Sequence, residues 1–166
     1  MDYHFYQKKF QEALDQISQK EFNDLGLKFS VETILESVVL KIYKPEWSSD
    51  PQSSLDASSR IFFSIWISDK TIKEGRLYYN IHALKLRELK GYKIQSRNFA
   101  ENFRNRFTKY QKDWDNVSVK FGPLTLMEGW IELKTDNLQK DIIKLSNSFL
   151  KISSLIDETL HLFKSK

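Results

Sequence analysis

Two groups of residues have types and spacings that could do chemistry. The first is Asp113 and Asp115, followed at a distance by Glu132 and Lys134. The stretch between them reads as a hairpin. Val117-Ser-Val-Lys-Phe121 runs into the turn residues Gly122-Pro123, and Leu124–Leu133 returns. Antiparallel pairing would set two carboxylates at one strand end beside a Glu-x-Lys at the other. Carboxylates so placed can hold a divalent cation, and a neighbouring lysine can stabilise charge on a phosphate under attack. The second group is a run of cations that includes Arg76, Lys93, Arg97, Arg104, Lys109 and Lys112. On a helical wheel beginning at Ser96, Phe99, Phe103, Phe107 and Tyr110 fall within ~80° of one another. Arg97, Arg104 and Lys112 lie opposite, and Lys109 extends the polar side with Asn98, Asn102 and Asn105. Such a face can run along a phosphate backbone, releasing counterions and donating hydrogen bonds. Tyr78, Tyr79 and Tyr92 would offer stacking surfaces nearby.

The acid pair with its Glu-x-Lys resembles the metal-binding core of the PD-(D/E)xK nucleases. The resemblance covers residues 113–134, and it implies a metal-dependent nuclease at the ends of that hairpin. The same Glu-Leu-Lys tripeptide recurs at Glu88–Lys90. No other spacing points to a cofactor or a metal. His4, His82 and His161 are too far apart in sequence for a local imidazole pair. His82 has no acid close by in sequence to make it a general base. The five glycines form neither a phosphate loop nor a nucleophile elbow.

The charge pattern sharpens the second group. The chain has 166 residues, 26 Lys and Arg, 22 Asp and Glu, and a formal net charge of +4. Residues 70–112 carry twelve of the cations and three acids, net +9. The flanks are acidic: residues 1–69 sum to −4 and residues 113–166 to −1. A basic middle between acidic flanks suggests an anionic partner such as nucleic acid, unless the flanks fold over it. Cysteine is absent, which excludes disulfides, thiolate metal sites and thiol nucleophiles. No apolar run approaches the ~20 residues that cross a bilayer, and the N-terminus lacks the apolar core of a signal peptide. The expectation is a cytoplasmic protein without a membrane partner.

The elements that must position these groups follow from periodicity. Residues 3–22 carry a helical stripe (Tyr3, Tyr6, Phe10, Ala13, Leu14, Ile17). Residues 27–35 and 38–42 alternate as strands. In 60–68, Ile61, Phe63, Ile65 and Ile67 face one way and Phe62 and Trp66 the other, which predicts a central strand covered on both faces. Another strand opens at Gly75. A helix from Ser96 to about Lys112, the hairpin and a long helix from Asp136 complete the chain. The last helix has the stripe Leu138, Ile142, Leu145, Phe149, Ile152, Ile156, Thr159 and Phe163. Its four-and-three spacing allows a second copy to pack beside it. Residues 45–59 hold six serines and two prolines and read as a mobile loop, with Trp47 available as an exposed anchor.

The expected fold is therefore one α+β domain over residues 1–166. It has an antiparallel sheet of about five or six strands with helices packed on it, in the order α-βββ(β)-α-ββ-α. The expected function is a non-enzymatic binding or protein-interaction module, its partner a protein or a second copy of itself. Trp47, Ile152, Ile156 and Phe163 are the partner-binding candidates. The alternatives are a nucleic-acid-binding module on segment 70–112 and the nuclease at the hairpin ends.

Overall fold

A computed structural model describes residues 1–166. The helices are α1 (Tyr3–Gln16), α2 (Gln19–Asp24), α3 (Asp69–Glu74), α4 (Ser96–Phe107) and α5 (Leu138–Leu162). The strands are β1 (Lys28–Ile34), β2 (Ser37–Ser48), β3 (Arg60–Ser68), β4 (Arg76–Leu84) and β5 (Thr125–Glu132). They form one five-stranded antiparallel sheet in chain order, so the fold is α+β with a meander at its centre. Short connections enforce the antiparallel sense. The β1–β2 turn consists of Leu35 and Glu36, both with positive φ (48° and 63°). That backbone matches the twist of a tight hairpin but usually recruits Gly or Asn, so the sequence carries no turn signal there. Between β3 and β4, Ser68 and Thr71 cap α3 reciprocally, and Gly75 (φ 70°) ends it in the left-handed conformation.

Strand alternation sends Val38, Leu40, Ile42, Ile61, Phe63, Ile65, Ile67, Leu77, Tyr79, Ile81 and Met127 to one face, where all are essentially dry. The long helices pack there. α1 lies over β1 and β2, α5 over β3, and α4 over β5, with α5 wedged between α1 and α4. An aromatic cluster ties the layers. Phe63 stacks on Phe149 of α5 at 4.5 Å between centroids, and Trp114 reaches Phe63, Tyr79 and Phe107. Tyr79 lies flat across its strand partner Gly129, where any Cβ would overlap its ring, and donates to the Asp115 carbonyl at 2.6 Å.

The structure departs from the sequence reading in four places. The first helical stripe is broken after Gln16 into α1 and α2. Residues 45–59 are not one loop: β2 continues through Ser48 and residues 51–56 form a 3₁₀ turn. Trp47 in that stretch is fully buried. Its indole donates to Asp157 at 2.8 Å, and Lys44 pairs with the same carboxylate at 2.7 Å. A polar, serine-rich composition concealed one apolar anchor that α5 captures. Residues 117–121 are not a strand either. They touch β5 only through the Ser118–Glu128 bridge, while β5 pairs with β4 along its other edge. Lastly, β3 is covered by helices on one face alone.

Candidate functional site

The second face of the sheet is where function is best sought, because no helix of this chain packs on it. Its side chains follow from the strand registers and fall into cross-strand rows two residues apart. One row is Tyr43, Phe62 and His82 across β2, β3 and β4. The next is Ser30, Lys41, Ser64, Asn80 and Glu128 across all five strands. The third is Glu32, Val39, Trp66, Tyr78 and Trp130. Two aromatic rows thus flank a polar one.

Contacts run within and between the rows. In the polar row the Ser64 hydroxyl donates to Asn80 Oδ1 at 2.6 Å, and Asn80 Nδ2 donates to Glu128 Oε1 at 3.1 Å. Lys41 pairs with Glu32 at 3.2 Å and lies 4.8 Å over the Phe62 ring. Arg60 also lies over Phe62, at 5.7 Å, with His82 alongside at 5.0 Å. In the third row Trp66 stacks with Tyr78 at 5.3 Å, and Arg76 lies over Trp130 at 3.8 Å. These cations sit over ring faces by cation–π attraction and cover them with their aliphatic stems. Phe62 is only 6% exposed as a result, whereas Trp66, Tyr78 and Trp130 remain half-buried. Burial, reinforced by the charges of Lys41 and Arg60, pushes the His82 imidazole down to about 4. At neutral pH it is an uncharged ring in an aromatic row. The rim is apolar where Ile34, Leu35, Val39 and Trp66 border a shallow groove. Leu35 there is 92% exposed on a left-handed turn residue.

The residues singled out by sequence are distributed differently. Arg104 is not free to meet a phosphate. Its guanidinium donates to the carbonyls of Phe121, Gly122, Thr125 and Leu126, and burial lowers its pKa. Arg76 is engaged on Trp130. Lys93, Arg97, Lys109 and Lys112 are exposed. Nine of the twelve cations of segment 70–112 are exposed, and none of the twelve pairs with a carboxylate, so the acidic flanks do not fold over them. They do not share one face. Lys70 and Lys73 precede β4, whereas Lys85, Arg87, Lys90, Lys93 and Arg97 follow it, at the opposite end of the sheet. Ile152 and Ile156 lie in the core between helices and sheet, and Phe163 packs on Phe99, so α5 offers none of them as a free partner surface.

Asp113, Asp115, Glu132 and Lys134 do converge. With Asn137, Asp141, Lys144 and Ser148 they line a cleft of about 180 Å³. The convergence comes from the 3₁₀ turn that ends at Asp113 meeting the last residue of β5, not from a hairpin. Burial raises the Asp141 carboxyl, and Lys144 and Lys134 pull it back down. No group of three His, Asp or Glu side chains stands close enough to hold a metal ion. The cleft therefore lacks the ligand set that the nuclease resemblance implies.

The open-face residues that sequence reasoning undervalued are Lys41, Ser64, Asn80, Glu128 and Trp130. Their signal was the outward phase of Phe62, Ser64 and Trp66 in a strand whose other phase is wholly apolar. Fold and site together define a class: an α+β protein with one helix-covered sheet face and one open aromatic face. No family model, curated protein or solved structure matches the chain.

Proposed function

We propose that this chain is a non-enzymatic protein-interaction module whose recognition surface is the open sheet face. The observation that carries the reading is the half-buried row of Trp66, Tyr78 and Trp130, with the exposed Leu35 at its rim, on a face without a second layer. Soluble proteins seldom leave Trp, Tyr and Leu together on one surface unless a partner covers them. Interface cores are enriched in Trp, Tyr and Arg, the residues stacked here as Trp66, Tyr78, Trp130 and Arg76. The face also disfavours base stacking, since Arg76 already occupies Trp130 and the acids Glu32, Glu128 and Glu132 offset Lys41, Arg60 and Arg76. A photo-crosslinking residue in place of Trp66 tests the reading in cells. A discrete polypeptide adduct, lost when Tyr78→Glu is added and kept when Lys109→Glu is added, is the expected result. Adducts no stronger than those from the same probe at Lys151, on the helical side, would overturn it.

A second reading, nucleic-acid binding by segment 70–112, is supported by its unpaired cations. Backbone hydrogen bonds from Lys93 to Phe163 and from Ser165 to Gly91 set Lys164 opposite Tyr92, in the stretch that also holds Lys85, Arg87, Lys90, Lys93 and Arg97. Affinity for single-stranded RNA or DNA should then fall steeply with salt and drop at least tenfold in Lys93→Glu/Arg97→Glu. Salt-insensitive binding, or none, would dismiss it.

A further inference from the structure

Resting on the first reading, we infer that the occupant of the open face is a second copy of this chain, packed sheet to sheet about a two-fold axis. The argument is one of self-complementarity, which an isologous interface requires. An axis running along the strands between β3 and β4 maps β3 onto β4 and β2 onto β5. Each cross-strand row then meets its own reversed copy. Trp66 lies over the Tyr78 position of the second copy, Phe62 over His82, and Ser64 over Asn80. In the polar row, Lys41 on β2 falls opposite Glu128 on β5 and reaches it by swinging out from Glu32 and Phe62, where it lies buried; symmetry makes the pair twice. A neutral His82 suits that contact, because an imidazolium against an aromatic row beside Lys41 and Arg60 would be repelled. The offsetting of cations by acids on this face argues the same way: a polyanion or polycation would find like charges, whereas a copy sets Lys41 against Glu128 and puts no like charges opposite each other, since Arg60 falls over Leu84, Arg76 over Ser68 and Glu132 over Ser37.

Size is consistent with the occupant. Four overlapping strands about 4.8 Å apart and seven residues about 3.4 Å apart give roughly 460 Å² of projected face. That is over half of the ~800 Å² each partner buries in a standard complex. β1 overhangs beyond the partner's β5. Two antiparallel sheets packed this way keep their strands within about 30° and form a sandwich with helices outside.

The test is sedimentation equilibrium of the whole chain at ~100 µM, where an interface of micromolar Kd is saturated. The dimer mass is expected for the native chain and the monomer mass for Trp66→Glu, each with an unchanged far-UV circular dichroism spectrum. Glu128→Lys, which sets a second cation against Lys41, should weaken dimerisation at least tenfold, and adding Lys41→Glu should restore it. If Trp66→Glu does not fold, Trp130→Glu on the same row takes its place. A native chain that stays monomeric overturns the inference, as does a dimer that ignores all these changes. A monomer that still gives a Tyr78-dependent adduct from position 66 would leave the interaction reading standing and remove only the second copy as occupant.

Discussion

Phe62 and Phe63 are neighbours in β3 and point to opposite faces of one sheet. Both are nearly dry, for different reasons. Phe63 is sealed by a second layer, stacked on Phe149 and edged by Trp114. Phe62 has no layer above it and is roofed by Lys41, Arg60 and His82. The same contrast separates Tyr79, which threads its hydroxyl past Gly129 to Asp115, from Tyr78, which stacks on Trp66 in the open. Covered aromatics are held by packing that cannot be removed without leaving a void. Those on the open face are held by long, flexible side chains that can move aside. The first arrangement makes stability, and the second leaves a surface that can exchange its cover for a partner.

The largest test of this contrast is Phe63→Ala against Phe62→Ala. The first should cost about 3–5 kcal/mol in urea unfolding, as a buried aromatic leaving a cavity, and the second less than half of that. Equal losses would erase the distinction between the faces. Next in size is Gly129→Ala, which drives a methyl into the Tyr79 ring and should cost about 2 kcal/mol. Adding Tyr79→Phe should be less harmful than the two single losses combined, because the hydroxyl is among the atoms met first. Arg104→Met is expected to destabilise by a similar amount, about 2 kcal/mol, through four backbone acceptors losing a charged donor. Arg97→Met, on the solvent side of the same helix, should stay within about 0.5 kcal/mol.

The smallest effect is the pH response of His82. Its imidazole is held at about 4 in the folded chain against 6.5 for the free group. The unfolded chain therefore binds more protons in that interval, and this contribution to stability is complete above pH 6.5 and lost as pH falls towards 4. Allowing for its partial exposure, the loss is on the order of 1–2 kcal/mol. His82→Gln should flatten the stability profile between those pH values. A profile that keeps the same slope in the variant would assign it to other groups.

Much of this is legible in the amino-acid pattern. Alternation places Ile61, Phe63, Ile65 and Ile67 on one side and Phe62 and Trp66 on the other. The stripe on α5 is readable from Leu138 to Thr159, and its members are buried. Trp47 is hidden from such a reading because its serine-rich neighbours outweigh one indole in any composition window, although it is fully buried in the core, hydrogen-bonded to Asp157 and edged by Phe149. Arg104 is hidden because a helical wheel shows which way a cation points, not that the carbonyls of residues 121–126 wait there.

The sequence by itself determined which residues share a face, because side chains on a strand repeat every two positions and on a helix every 3.6. It thereby determined the α+β class, most of the core and the aromatic second phase of β3. Only the tertiary structure decided what covers each face. α1, α4 and α5 all lie on the side of Phe63, and none on the side of Trp66. That choice rests on contacts between segments more than a hundred residues apart, such as Trp47 with Asp157, which no local period encodes.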